Sequence, residues 1–69
     1  MDPQDARAKR TAYVVRRGSK YAVEVLEMKF GQADELFFWQ AGLTYEQAAM
    51  IANEQAAVVV DHTGGDAAH

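Results

Sequence analysis

The chain lacks cysteine altogether and has one proline, Pro3, and one serine, Ser19. Without cysteine there can be no disulfide staple and no thiolate metal site. The only histidines, His62 and His69, both lie near the end of the chain. No metal site and no cofactor is therefore expected. The lone serine sits in a Gly-Ser turn with no base beside it, so a serine nucleophile is unsupported. Glu24 and Glu27 are three apart on a strand and point to opposite faces, which is not a carboxylate pair for acid–base work. Gly64 and Gly65 do not make a phosphate loop. These absences lead us to expect no enzyme.

Long apolar runs are missing too. No segment approaches the roughly 20 residues of a membrane span. MDPQDARAKR has no apolar stretch of a secretory leader, so a cytoplasmic protein is expected. Positive charge is scarce in one part of the chain. Arg7, Lys9, Arg10, Arg16, Arg17 and Lys20 crowd the front, and only Lys29 follows them. The net charge is −3, whereas nucleic-acid binders usually present a basic surface.

What is present is a short, apolar-rich chain of 69 residues, enough for a single domain. A domain of about 60 residues buries only roughly 60% of its unfolded surface, so small chains often need a staple, a metal or association. Association is the device that remains, which raises a homodimer as an expectation.

Residues 1–10 are polar and read as a flexible basic arm; 62–69 read as a flexible tail; 11–61 form the domain. TAYVVRR and KYAVEVLEMKF flank Gly18 and Ser19, a hairpin signal. In the second run the apolar phase changes. Tyr21, Val23 and Val25 alternate on one side, then Leu26, Met28 and Phe30 on the other. A β-bulge near Val25 and Leu26 reconciles the two sets, or else both faces of the sheet are partly buried. ELFFWQ, residues 35–40, reads as a third strand. Thr44 to Gln47 form a capping box, Thr44 as N-cap and Gln47 reaching back. In the helix that follows, Tyr45, Ala48, Ile51, Ala52 and Ala56 gather on one face. Met50 breaks the polar face and Gln55 the apolar one, which suggests an end near Gln55. Residues 57–61 read as a short fourth strand, with a helix running on to Val60 as the alternative. The expected fold is α+β: a small antiparallel three-stranded sheet, then one amphipathic helix, then that short strand.

One helix covers one face. If Leu36 and Phe38 face it, Phe37 and Trp39 face away, beside Leu26 or Met28, as an apolar patch suited to association. The bland readings are that the arm or tail covers them, or that 32–40 is a helix closed by Gly42. Met50 is a second contact candidate, since methionine suits adaptable surfaces, against the reading of a harmless exposed side chain.

Arg7, Lys9, Arg10, Arg16, Arg17 and Lys20, interleaved with Tyr13 and Tyr21, are the candidate nucleic-acid contacts. Against this stands a solvated hairpin that offsets the acidic half. Ala48, Ala52 and Val58 have the relative spacing of a helix-turn-helix. But Ala52 replaces the turn glycine, and Asn53 and Asp61 stand where apolar residues belong. The β-β-β-α order resembles the small DNA-binding domains at the front of some tyrosine recombinases. That likeness is of element order alone, so no residue roles are carried over.

The function expected is a non-enzymatic protein-interaction module, a homodimeric regulator or inhibitor that occupies a surface of an unidentified partner protein. Many regulators of this size, phage-encoded ones among them, are acidic and free of motifs. The alternative is a nucleic-acid-binding accessory using the basic arm and hairpin.

Overall fold

The computed structural model describes residues 7–63. Strands β1 (Arg10–Arg17), β2 (Lys20–Glu27) and β3 (Glu35–Leu43) are followed by helix α1 (Tyr45–Gln55) and strand β4 (Val58–Asp61). The order across the sheet is β3-β2-β1-β4. β1 and β2 pair antiparallel, as do β2 and β3, while β4 lies parallel to β1. The fold is α+β, and the fourth strand makes the sheet mixed. Helix α1 returns the chain from the end of β3 to the start of β4, as a parallel connection requires.

Each element follows from its local sequence. The β1–β2 turn carries Gly18 at φ 65°. Its register is unbroken from Arg10 opposite Glu27 to Arg17 opposite Lys20. The capping box is complete: the Gln47 amide donates to Thr44 Oγ1 at 3.1 Å, and the Thr44 amide to Gln47 Oε1 at 3.0 Å. Glu46 in the first turn suits the positive end of the helix dipole. The helix stops at Gln55, with Ala56 as an extended cap residue. The β-branched run Val58, Val59, Val60 is strand, so no second helix of a helix-turn-helix is present in the described residues.

The core is made of small side chains. Ala12 and Val14 of β1, Val23 and Val25 of β2, Leu43 of β3, and Ala48, Ala52 and Ala56 form it. Tyr21, Phe38 and Ile51 pack at its border. The alanines let α1 lie close to the sheet. The three largest fully buried side chains are valines, Val14, Val23 and Val25. So the aromatic residues of this chain do not build its centre.

The bulge expected near Val25 and Leu26 exists, but the extra residue lies on β3. Val25 is opposite Phe38 and Leu26 is opposite Leu36, which leaves Phe37 unmatched. A second shift has Tyr21 opposite Leu43 and Val23 opposite Gln40, again lengthening β3. Gly42, at φ 75°, supplies the turn of backbone there. β2 itself does not slip. It ends at Glu27, and the expected continuation through Met28 and Phe30 is irregular chain. The phase change that suggested a slip therefore reflects Leu26 on the second face and two apolar residues beyond the strand.

Of the arm expected over 1–10, residues 1–6 lie outside the described residues, as do residues 64–69 of the expected tail. The rest of the arm is held in place. The Arg7 carbonyl accepts from the Ala57 amide at 2.9 Å, the Lys9 carbonyl from the Met28 amide at 2.7 Å, and Arg10 begins β1.

Candidate protein-binding face

Residues opposite one another in a sheet share a face. Ala12, Val14, Val23 and Val25 define the face beneath α1. The registers then assign the second face strand by strand: Leu36 and Trp39 of β3, Ala22, Glu24 and Leu26 of β2, Thr11, Tyr13 and Val15 of β1, and Val58 and Val60 of β4. Ala22 is fully buried yet stands outside the core cluster, as this placement demands. Among the described residues, no element crosses this face.

The face is apolar on every strand. Leu36 is 58% exposed, Trp39 50% and Val58 51%, and Leu26, Tyr13, Val15 and Val60 are half-buried beside them. Glu24 is the one ionic side chain in its middle. Arg17 and Lys20 stand on the face at the hairpin end, whereas Glu35, opposite Glu27, belongs to the helix side. His62 packs against the Tyr13 ring, centroids 5.3 Å apart, at the border. Met28 follows Leu26 by two residues and its amide extends the pairing to Lys9, so it prolongs the face. With Lys9 and Phe30 it lines an open cleft of about 230 Å³, and Phe30 is fully exposed.

The four residues expected at an interface are not brought together. Trp39 lies on the open face and Met28 at its end. Met50, 61% exposed, stands on the outer side of α1. Phe37 departs from the expectation that it shares a side with Trp39. The bulge turns its ring under Arg10, whose guanidinium carbon is 3.7 Å from the ring centroid. Arg10 in turn donates to the Gln55 carbonyl at the end of α1, so Phe37 belongs to the helix side. Leu36 departs from the expectation that it lies under the helix beside Phe38. The same bulge puts these two on opposite faces.

The basic cluster is likewise divided. Arg7 donates to the Asn53 and Ala56 carbonyls, and Arg10 to Gln55 and to Glu27. These two cations cap a helix end whose last turn has no basic residue of its own. Glu27 is shared between Lys29 and Arg10, each at 3.2 Å, and its carboxyl is held below the usual range by Lys29 first and Arg10 second. Arg17 and Lys20 are exposed side by side at the hairpin, while Arg16, exposed on the helix side, donates to the Gly18 carbonyl at 3.1 Å.

At the other end of α1, the Tyr45 hydroxyl donates to Asp61 and its ring meets Tyr21 edge-on. The neighbouring carboxylate raises the Tyr45 pKa. Thr63 donates to the same carboxylate from both amide and hydroxyl, so this cluster ties β4 to the helix start. Among the described residues no group of His, Asp and Glu could hold a metal ion, and no helix is long and apolar enough to cross a membrane.

Sequence reasoning missed the contribution of β4 and the exposure of Leu36 and Phe30. The signal for β4 was available: in a strand, Val58 and Val60 share a side by period two. Phe30 carried no such signal, because nothing local says where β2 ends. Comparison with protein-family models, with curated proteins and with solved structures finds no match to this chain.

Proposed function

We propose that this chain is a protein-interaction module, a non-enzymatic cytoplasmic regulator or inhibitor that works by occupying the surface of another protein. One observation carries the reading: several of the largest apolar side chains are outside. Leu43 apart, the buried core is alanine and valine, while Trp39, Leu36, Met28 and Phe30 stand exposed on one side of the molecule and its end. Fully burying a side chain of this size is worth about 1.5–3 kcal/mol, and the fold alone leaves much of that unrealised. Exposed aromatic and aliphatic groups beside a charged rim are what hot-spot recognition uses.

The test is site-specific photocrosslinking in the host cell. Benzoylphenylalanine replaces Phe30 and Trp39 in turn, with Glu54 on the outer side of α1 as control. We expect a discrete adduct with a second protein from Phe30 or Trp39 and none from Glu54. Absence of any protein adduct at both positions overturns the reading.

The hairpin cations Arg16, Arg17 and Lys20 favour a second reading, a nucleic-acid accessory. Its footing is narrower than the sequence suggested, since Arg7 and Arg10 are engaged at the helix end. Three phosphate contacts give a salt slope of roughly −2.7. A gel shift at low salt that disappears in Arg16→Ala, Arg17→Ala, Lys20→Ala protein supports it; no shift at micromolar protein removes it.

A further inference from the structure

We propose that the cleft lined by Lys9, Met28 and Phe30 takes one apolar side chain of the target protein with a carboxylate beside it. The target segment is then acidic, with a Phe or Leu flanked by Asp or Glu. The inference rests on the protein-interaction reading above and names the chemistry recognised at one end of the molecule.

Strand pairing builds the cleft. Arg10 lies opposite Glu27, and the Met28 amide donates to the Lys9 carbonyl at 2.7 Å, so Lys9 and Met28 form the next opposite pair. Opposite residues share a face, which sets the Lys9 stem beside the Met28 side chain. Phe30 joins them from a closed turn. The Gln32 amide donates to the Lys29 carbonyl at 3.1 Å, Gly31 stands at φ 72°, and Lys29 is anchored on Glu27 at 3.2 Å. The fully exposed Phe30 is thus presented by a turn already formed, which lowers the ordering cost of binding.

Volume selects the class of occupant. Small-molecule sites run from about 300 to 1,000 Å³ and enclose most of the ligand. The space here is about 230 Å³ and open to solvent, which suits one side chain of a chain passing over it. An open cleft requires no chain end, so the carboxylate is that of a side chain.

Charge selects the neighbour of that side chain. Arg7, Lys9, Arg10 and Lys29 stand at this end of the sheet. Arg7 donates to the Asn53 and Ala56 carbonyls, Arg10 to Gln55 and Glu27, and Lys29 to Glu27. Of these four cations, Lys9 alone has no partner among the described residues. It is also the one that lines the cleft. A carboxylate beside the bound side chain satisfies it, and a basic segment is repelled.

Nuclear magnetic resonance titration of the purified full chain with capped synthetic peptides tests this. The probe is Ser-Asp-Glu-Phe-Glu-Asp-Ser. Its controls carry Asn and Gln, or Lys, in place of the acids. We expect the acidic peptide to shift the Lys9, Met28 and Phe30 amides with a dissociation constant on the order of 1 mM, since one buried side chain and one surface ion pair give little more. The neutral peptide binds about threefold more weakly. Because the chain carries −3 overall, unspecific attraction would favour the Lys peptide instead. Lys9→Glu reverses the preference, and Phe30→Ala abolishes binding. Both side chains are exposed, so core amide shifts stay unchanged in both variants. No shift at several millimolar peptide, or equal affinity for acidic and neutral peptides, overturns the inference. A shift only with a free C-terminal carboxylate overturns it too.

Photocrosslinking separates the two readings. A Phe30 adduct that persists in Lys9→Glu protein, or whose crosslinked residue has no Asp or Glu beside it, sinks this inference and leaves the protein-interaction reading standing. Acidic-peptide binding at the cleft with no protein adduct at Phe30 or Trp39 does the opposite.

Discussion

The Arg10 guanidinium lies over the Phe37 ring, 3.7 Å from its centroid, and from there reaches Gln55 at the end of the helix and Glu27 on the neighbouring strand. One cation thus joins the first strand, the bulge of the third and the helix terminus. Arg10→Ala is expected to destabilise the fold by about 2 kcal/mol, because it removes two charge-assisted hydrogen bonds and a cation–π interaction together. Arg10→Lys recovers only part of this, since an ammonium cannot fork to both partners. Urea unfolding checks it, through a lower midpoint at unchanged slope.

Thr44 is the N-cap of a complete capping box. Thr44→Ala is expected to cost about 1 kcal/mol. In a domain of this size that lowers the melting temperature by roughly 4–8 °C. Thr44→Ser should melt close to the parent protein, because its hydroxyl accepts the same bond.

Gly42 sits at φ 75° with open space where a Cβ would stand. Gly42→Ala therefore tests backbone strain alone, without a clash. We expect a loss of about 1–2 kcal/mol from the left-handed conformation, with Gly42→Asn losing less. An equally stable Gly42→Ala protein would contradict the β3 irregularity at this position.

Two groups set opposite pH limits. Glu27 has its pKa lowered in the folded state by Lys29 and Arg10. Its contribution is present above the unfolded carboxylate pKa, about 4.3, and is lost as pH falls through the lower folded value. Tyr45 has its pKa raised by Asp61. Its contribution is present below the unfolded phenol pKa, about 10, and is lost as pH rises through the higher folded value. Chemical denaturation across pH should show both arms. Glu27→Gln flattens the acid arm, and Tyr45→Phe the alkaline one.

Much of the framework is legible from local pattern. The Gly18 and Ser19 turn, the capping box at Thr44, the helix end at Gln55 and the β-branched run after it are short-range features. Each depends on residues within a few positions, and the structure has all of them. The irregularity near Val25 and Leu26 also shows in the alternation of apolar residues. Which strand carries the extra residue does not, because a bulge is a property of two paired strands, and β2 and β3 can absorb the same mismatch equally well in sequence.

The division of the site residues follows from that choice. With the extra residue on β3, Leu36 and Phe38 part company, Phe37 joins Arg10, and Trp39 is left with Leu36 and Leu26. The basic cluster divides for a similar reason. Residues 7 to 10 and 16 to 20 are near in sequence, but an extended strand separates them to opposite ends of the sheet, where the helix terminus claims the first group.

The sequence by itself determined the hairpin turn, the capped helix and the surplus of large apolar side chains over what one helix can cover, because propensity, capping and period are local; it left 57–61 open between strand and helix and ran β2 past its end. Only the tertiary structure decided which side chains make up the open face. That depends on strand register and on the parallel docking of β4 against β1, which are long-range pairings that no local pattern encodes.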